Sequence, residues 1–291
     1  MPHGCVVQLS SEEIRHAVQE ALAEDVGSGD ATTLATVSTE ARATAAMVTR
    51  EPIVLAGIAF AEAAFKELSP EVEIEKPFSD GARIERGKTI LRIKGPARAL
   101  LTAERVALNF VQRLSGIATL TAQFTQAISG TKAKILDTRK TLPGWRRFEK
   151  YAVVCGGGTN HRFGLADMIL IKDNHLVALK NEKPNAIAAA VRRAREKFPA
   201  LKVEVETDTL EQVGQAVEAG ADIILLDNMS EENLRGAVRL IAGRAKIEAS
   251  GNVNLQTVRA IAETGVDFIS VGALTHSARG VDIGLDFEFA N

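Results

Sequence analysis

Along the first hundred residues the apolar positions change period several times. Ser10 and Glu13 have the spacing of a helix-capping box, and an apolar-periodic run follows to Ala23. The next stretch, EDVGSGDATT, is rich in turn residues and predicts a loop. From 41 to 95 the pattern turns strand-like in ARATAAMVTR, EPIVLAG, VEIEKPF and TILRIKG. Gly81 and Gly87 punctuate the turns, and one helix is expected near 58–68. Strands mixed with a helix predict a small α+β domain. From Ala97 the apolar positions Leu100, Ala103, Ala107, Phe110, Val111, Leu114, Ala118 and Thr121 recur in steps of three and four. That is one buried face of a long helix, with Arg98, Thr102, Arg105, Asn109 and Gln112 on the opposite face. The helix is expected to carry the chain from a first domain into a second.

After residue 132 the texture changes. Short β-branched runs (AKILD, DMILIK, LKVEVE, DIILLD, AKIEAS and DFISVG) alternate with helical patterns at 183–197, 209–219, 230–242 and 254–264. Strand, helix, strand in this rhythm predicts parallel strands with crossover helices. The last four strands end on Glu206, Asp227, Ser250 and Gly272, at intervals of 21, 23 and 22 residues. One strand–helix unit per step is what a β/α barrel produces. Six strands are clear. The tail GLDFEFA sets Leu285, Phe287 and Phe289 against Asp286 and Glu288, the pattern of a half-buried strand with no place in the barrel.

Composition narrows the class of protein more than the fold. The 291 residues are 46% hydrophobic and 25% charged, an ordinary globular balance, and with 4% aromatics the core must be aliphatic. A net charge of −2 argues against a general nucleic-acid binder. Cys5 and Cys155 make neither a disulfide framework nor a metal-ligand pair and are read as reduced thiols. The N-terminus lacks a signal-peptide pattern, and no apolar run reaches the roughly 18 residues of a membrane span, so the expected location is the cytoplasm.

Candidate chemistry is read from the C-terminal ends of the barrel strands, where such folds place their active sites. AKILD runs into Thr138, Arg139 and Lys140, and DMILIK ends on Lys172, followed by Asp173, Asn174 and His175. Between these strands lie Gly156–Gly158 and Asn160, His161 and Arg162. Arg139, Lys140, Arg162 and Lys172 are four fixed cations, to which His161 can add a charge, and only Glu206 and Asp227 clearly oppose them among the strand ends. Such a pocket calls for an anion carrying carboxylates, phosphates or both. The Ser250–Gly251–Asn252 and Val271–Gly272–Ala273 turns offer backbone N–H groups at strand–helix junctions, a phosphate site. Glu206 and Asp227 suit sugar hydroxyls or a hydrated Mg²⁺. Each has a blander reading. Asp227 can cap the following helix, the glycine triplet can be a tight turn, Cys155 a packed thiol, His175 structural, and Arg146–Arg147 a solvated face. The convergence of so many groups on one end of one barrel favours a site.

The stretch DTRKTLPGWRRFEKYAVVCGGGTNHRFGLADMILIKDNH, residues 137–175, resembles the quinolinate phosphoribosyltransferases (nicotinate-nucleotide pyrophosphorylase, carboxylating). ERVALNFVQRLSGIAT at 104–119, VEVE at 203–206, LLDN at 225–228, EASGNV at 248–253, ISVGALTHS at 269–277 and GDAT at 29–32 carry the same resemblance over nearly the whole chain. It implies an α/β protein with an N-terminal α/β sandwich domain over residues 1–115, rejoined by the tail 276–291, and a C-terminal incomplete β/α barrel over 116–275. It also implies a homodimer or larger assembly in which Arg105 reaches the neighbour's quinolinate. The implied reaction joins quinolinate to phosphoribosyl pyrophosphate with Mg²⁺ and releases pyrophosphate and CO₂. The product is nicotinate mononucleotide, for de novo NAD biosynthesis.

By the same resemblance Arg105, Arg139, His161 and Arg162 hold the two carboxylates, and Lys140 and Lys172 meet phosphate oxygens. Glu206 and Asp227 hold the ribose hydroxyls and Mg²⁺, through water or substrate. Ser250, Gly251, Asn252, Val271, Gly272 and Ala273 cradle the 5′-phosphate, with Asn252 where some relatives carry glycine. Lys140, Lys172, Glu206 and Asp227 are thus the expected catalytic residues and Thr138 a further substrate contact. Positioning and electrostatic stabilisation suffice for this chemistry, and no protein nucleophile is required. A nicotinate-specific relative would not need this full cation set. A sugar-phosphate barrel enzyme would not explain the arginines, and a pure anion binder gains nothing from Glu206 and Asp227.

Overall fold

The computed structural model describes residues 7–289, so Cys5 lies outside the described residues. In chain order the elements are α1 (Ser11–Val26), α2 (Ala31–Thr36), β1 (Arg42–Thr49), β2 (Ile53–Val54), α3 (Ile58–Leu68), β3 (Glu73–Glu75), β4 (Arg83–Ile84), β5 (Thr89–Pro96) and α4 (Ala97–Ala127). There follow β6 (Lys134–Leu136), α5 (Arg146–Cys155), β7 (Ile169–Ile171), α6 (Asp173–Val177), α7 (Ala186–Lys197), β8 (Val203–Thr207), α8 (Leu210–Glu218) and β9 (Ile223–Asp227). The last are α9 (Glu231–Ile241), β10 (Lys246–Ser250), α10 (Val258–Glu263), β11 (Phe268–Ser270), α11 (Ala273–His276) and β12 (Ile283–Phe289). They form two compact units.

One unit comprises Val7–Ala122, Arg147–Gly157 and the tail from Ala278. Its antiparallel sheet has the order β12-β1-β5-β3, so the alternating tail does find a strand partner: Ala45 pairs with Phe287 on one side and Ile93 on the other. β1 alternates because Ala43, Ala45 and Met47 are buried while their neighbours face outward. α1 starts at the expected capping box, with Ser10 Oγ accepting from the Glu13 N–H and Glu13 reaching back to the Ser10 N–H. α4 buries every residue of the expected stripe, and Phe60 of α3 stacks on Phe110 at 4.7 Å. Two expectations fail here. The stretch after Glu24 is not all loop, because Asp30 accepts from the Thr33 N–H and starts α2. EPIVLAG supplies only the two residues of β2, paired with β4.

The other unit comprises Gln123–Arg146 and Gly158–Ser277. Its six strands are all parallel, in the order β6-β11-β10-β9-β8-β7. First and last strands pair, while β6 and β7 do not; Thr159 alone bridges Leu136. The barrel is therefore incomplete, opened between its first two strands. The crossover helices α7 to α10 fall within the predicted spans, and the β-branched strands are buried on both faces, as parallel strands require. The periodic reading missed α5, α6 and α11. The sequence boundary at 115 gave residues 147–157 to the barrel, whereas this helix clusters with the sheet unit, where Glu149 pairs with Arg113. No helix among the described residues is long and apolar enough to cross a membrane.

Candidate active site

The loops at the C-terminal ends of the barrel strands enclose a cavity of about 750 Å³. Thr138, Arg139, Lys140, His161, Arg162, Lys172, Glu206, Asp227, Ser250, Gly251, Asn252, Val271, Gly272 and Ala273 all line it. Most reach the cavity because their strands end there, and His161 and Arg162 reach it from the loop between α5 and β7. Arg105 is the exception: it belongs to the sheet unit and is exposed on α4.

The cations are held in different ways. Arg139 is half-buried, and its Nε is buried with no hydrogen-bond partner, a donor awaiting an acceptor. Arg162 is buried, with Nη1 donating to the Met168 carbonyl at 3.1 Å. Burial, and then Arg139 beside it, lower its pKa, while Glu204 and Asp167 oppose that. Lys172 pairs with Glu206 in a short contact at the cavity wall. Lys140 is exposed, and its carbonyl accepts from Thr275 Oγ1 at 2.8 Å, which ties the first strand end to the last.

The capping alternative for the strand-end carboxylates does not hold. α8 is capped by Thr209 and α9 by Ser230, which leaves Glu206 and Asp227 turned to other partners. Asp227 Oδ2 accepts from Asn228 Nδ2 at 2.7 Å, and Asn228 Oδ1 accepts from Asn252 Nδ2 at 3.1 Å. The Asn228 N–H also donates to the Ser250 carbonyl at 2.9 Å. Asn228 thus clasps Asp227 to the 250–252 turn. Asn228 (φ 52°) and Asn252 (φ 49°) adopt the left-handed conformation that Asn tolerates best after glycine, which accounts for Asn252 in a glycine-type turn. A Cβ on Gly251 would fall 2.1 Å from Asn228 Oδ1. A Cβ on Gly272 would meet His276 and Lys140, each at 3.1 Å. Of the two turns, only the second leads straight into a helix, the single turn α11; seven residues separate Ser250 from α10.

The remaining alternatives resolve individually. Gly156 packs against α4, where a Cβ would sit 2.4 Å from the Ala118 carbonyl, so the glycine triplet is a close-packed turn. His175 Nδ1 accepts from the Lys172 N–H at 2.9 Å and serves the start of α6. The Cys155 thiol is pushed up to about 12 by burial and by Asp80, which leaves it inert. Arg146–Arg147 is not a solvated face: Arg146 binds Thr141 and the Phe163 carbonyl, and Arg147 pairs with Glu13.

The charge count from the strand ends also needs correcting. Beneath the four cations lie three fully buried acids, Asp137, Glu204 and Glu248. Asp137 accepts from the His161 N–H at 2.8 Å and from Asn160 Nδ2 at 2.6 Å, and so shapes the 160–162 loop. Burial, and for Glu248 also the neighbouring Glu204, raise both glutamate pKa values well above the usual carboxyl range. Protonated, they leave the pocket positive; ionised, they would cancel it. Ser270, Asn228, Glu248 and His276 line the cavity without having been singled out as site residues. All four sit inside stretches that carry the family resemblance. Glu248 shares a strand face with Ser250 through the two-residue period, a signal that was available.

Residues 117–286 match the quinolinate phosphoribosyl transferase C-terminal domain family, and residues 30–115 match the corresponding N-terminal domain family. The chain belongs to the quinolinate phosphoribosyltransferase family. It is 45% identical to the nicotinate-nucleotide pyrophosphorylase [carboxylating] of Mycobacterium leprae, over 94% of this chain and 96% of that one. It is 42% identical to the probable enzyme of the same name from Bacillus subtilis, over 92% and 91%. Among solved structures, NadC from Streptococcus pyogenes superposes with a TM-score of 0.93 at 42% identity, covering 98% of this chain and 99% of that one. The nicotinate-nucleotide pyrophosphorylase of Francisella tularensis superposes with a TM-score of 0.91 at 41% identity, covering 97% and 99%. The two-domain architecture of the family is thus the architecture of this chain.

Proposed function

We infer that this enzyme transfers the phosphoribosyl group of phosphoribosyl pyrophosphate to quinolinate and releases CO₂ and pyrophosphate. The product is nicotinate mononucleotide, a step of de novo NAD biosynthesis. The observation that carries the reading is one cavity lined by Arg139, Arg162, Lys140, Lys172, Glu206 and Asp227 and bounded by two glycine turns, in a chain of this family. The unsatisfied Arg139 Nε and the buried Arg162 suit the two carboxylates of quinolinate. His161 belongs to the same wall. Thr138 and Lys140 close the first strand end, and the turns at Ser250–Asn252 and Val271–Ala273 take the 5′-phosphate.

Attack of the pyridine nitrogen on the anomeric carbon breaks the bond to pyrophosphate. The charge growing on the leaving group falls beside Lys140 and Lys172, where preorganised cations stabilise it without reorganisation. Glu206 and Asp227 offer oxygen ligands of the kind Mg²⁺ prefers, and with the ribose hydroxyls or water they would hold that ion. Bound there, it would neutralise pyrophosphate charge. Once the nitrogen is quaternary, the C2–carboxylate bond breaks, CO₂ leaves, and the electron pair at C2 is stabilised by N⁺ until it takes a proton.

We place Arg105 at the quinolinate site of a neighbouring subunit in a homodimer or larger assembly working in the cytoplasm. An exposed arginine on the polar face of α4 is free to do so. The test is an R105A variant mixed with an R139A variant. Mixed dimers would regain one intact site if Arg105 acts in trans, and no activity would return if it acts within its own chain.

A further inference from the structure

The barrel is open between β6 and β7, and residues 159–162 run across that opening. The Thr159 N–H donates to the Ile135 carbonyl at 2.8 Å, and the Asp137 N–H donates to the Thr159 carbonyl at 3.2 Å. The segment thus pairs with β6 for one short step. Beyond Thr159 a side chain takes over from the backbone. Asp137 is fully buried; its Oδ1 accepts the His161 N–H at 2.8 Å and its Oδ2 accepts from Asn160 Nδ2 at 2.6 Å. On the far side Arg162 Nη1 donates to the Met168 carbonyl at 3.1 Å, next to the start of β7. Arg139, His161 and Arg162 line the cavity, whereas Asp137 stands behind its wall.

We propose that Asp137 is a positioning residue that fixes the separation of two carboxylate-binding arms, Arg139 on one side and His161 with Arg162 on the other. It thereby sets the preference of the pocket for a dicarboxylate over a monocarboxylate. This rests on the quinolinate reading of the cavity. Both arms hang from Asp137: Arg139 through the intervening Thr138, and the other arm through the two hydrogen bonds to Asn160 and His161. An arginine fork tolerates little misplacement, so a supporting shell must hold it in place. A ligand with two adjacent carboxylates is gripped at both ends only while the distance between the arms is held. A ligand with one carboxylate needs one arm and is indifferent to that distance. Removing the Asp137 carboxyl takes the acceptor from two buried donors, and the loop must shift to satisfy them elsewhere. The shift moves His161 and Arg162 relative to Arg139. Asp137 acts through the arms and not by touching substrate.

Calorimetric titration of the full-length enzyme tests the proposal without turnover. The probes are benzene-1,2-dicarboxylate, which keeps two adjacent carboxylates and lacks the reactive nitrogen, and benzoate, measured by displacement. D137A is expected to weaken benzene-1,2-dicarboxylate roughly tenfold and benzoate less than about twofold, so the ratio of the two affinities falls. D137N keeps an acceptor for the His161 N–H but turns an amide toward Asn160. It is expected to lower the same ratio roughly threefold, and it carries the test if D137A does not fold. In steady-state kinetics both variants should raise the quinolinate KM by similar factors and leave the phosphoribosyl pyrophosphate KM unchanged. A wild-type affinity ratio in folded D137A, or in D137N where D137A does not fold, would overturn the proposal. So would an equal loss for both probes and both KM values, the mark of a purely structural role. Failure of the quinolinate reading would show separately, in the wild-type enzyme, as no preference for the dicarboxylate probe and no product from quinolinate.

Discussion

Gly251→Ala separates strain from binding at the phosphate turn. The residue sits at φ 95°, where a non-glycine residue costs about 1–2 kcal/mol. The added Cβ would also lie 2.1 Å from Asn228 Oδ1, so the Asn228 side chain must move. Moving it breaks the 2.7 Å bond to Asp227 and the 3.1 Å bond from Asn252. At about 1 kcal/mol net for each hydrogen bond, the clasp is worth roughly 2 kcal/mol, or about a thirtyfold change in an equilibrium constant. The strain acts on folding whether or not substrate is bound, and should lower Tm by roughly 2–8 °C. The clasp acts on the phosphoribosyl site, and its loss should lower kcat/KM for phosphoribosyl pyrophosphate about thirtyfold with little change in quinolinate affinity. The assay is steady-state kinetics with each substrate varied in turn, beside a thermal melt. A G251A enzyme with wild-type kcat/KM for phosphoribosyl pyrophosphate would refute the reasoning, as would an equal loss toward both substrates.

Asn228→Asp is nearly isosteric but replaces the donor to Asp227 with a like charge; kcat/KM for phosphoribosyl pyrophosphate should fall at least tenfold while the melting curve shifts little. Glu149→Ala removes one partner of the Arg113 pair, whose glutamate is fully buried, and should cost about 3–5 kcal/mol in a denaturant titration. Retention of wild-type stability there would mean that water reaches Arg113 freely. Glu248 has a folded-state pKa above its unfolded value, so the folded protein binds more protons in that window. Stability should then fall as pH rises from the ordinary carboxyl range toward the raised folded value, and E248Q should flatten that slope. A wild-type stability profile that rises with pH through that window and is unaltered by E248Q would contradict the assignment.

The barrel was legible because its strands are short, β-branched and evenly spaced, and the interval from Glu206 to Asp227 to Ser250 to Gly272 records one strand–helix unit each time. The alternating tail announced a strand, and only the tertiary structure shows that β1 is its partner. α5 escaped notice because the glycines on either side of it and its paired arginines read as loop and surface; its buried Glu149 and Lys150 make it a helix of the interior. Asp30 shows how one capping side chain can turn a loop-like composition into a helix start. Most residues that line the cavity were readable as strand ends. The acidic floor was legible only as a shared face, Glu204 two residues before Glu206 and Glu248 two before Ser250, and its full burial shows only in the structure. Asn228 was missed for a related reason: a left-handed backbone leaves no signature in the side-chain pattern.

Product analysis tests the central claim most directly. Purified protein would be incubated with phosphoribosyl pyrophosphate, Mg²⁺ and either quinolinate labelled in its C2 carboxylate or nicotinate. Nicotinate mononucleotide and labelled CO₂ would be quantified. The account predicts both products in equal amounts from quinolinate, none from nicotinate, and loss of the quinolinate reaction in Arg139→Ala. Turnover of nicotinate but not quinolinate by the folded protein, or an Arg139→Ala enzyme with wild-type quinolinate kinetics, would contradict it.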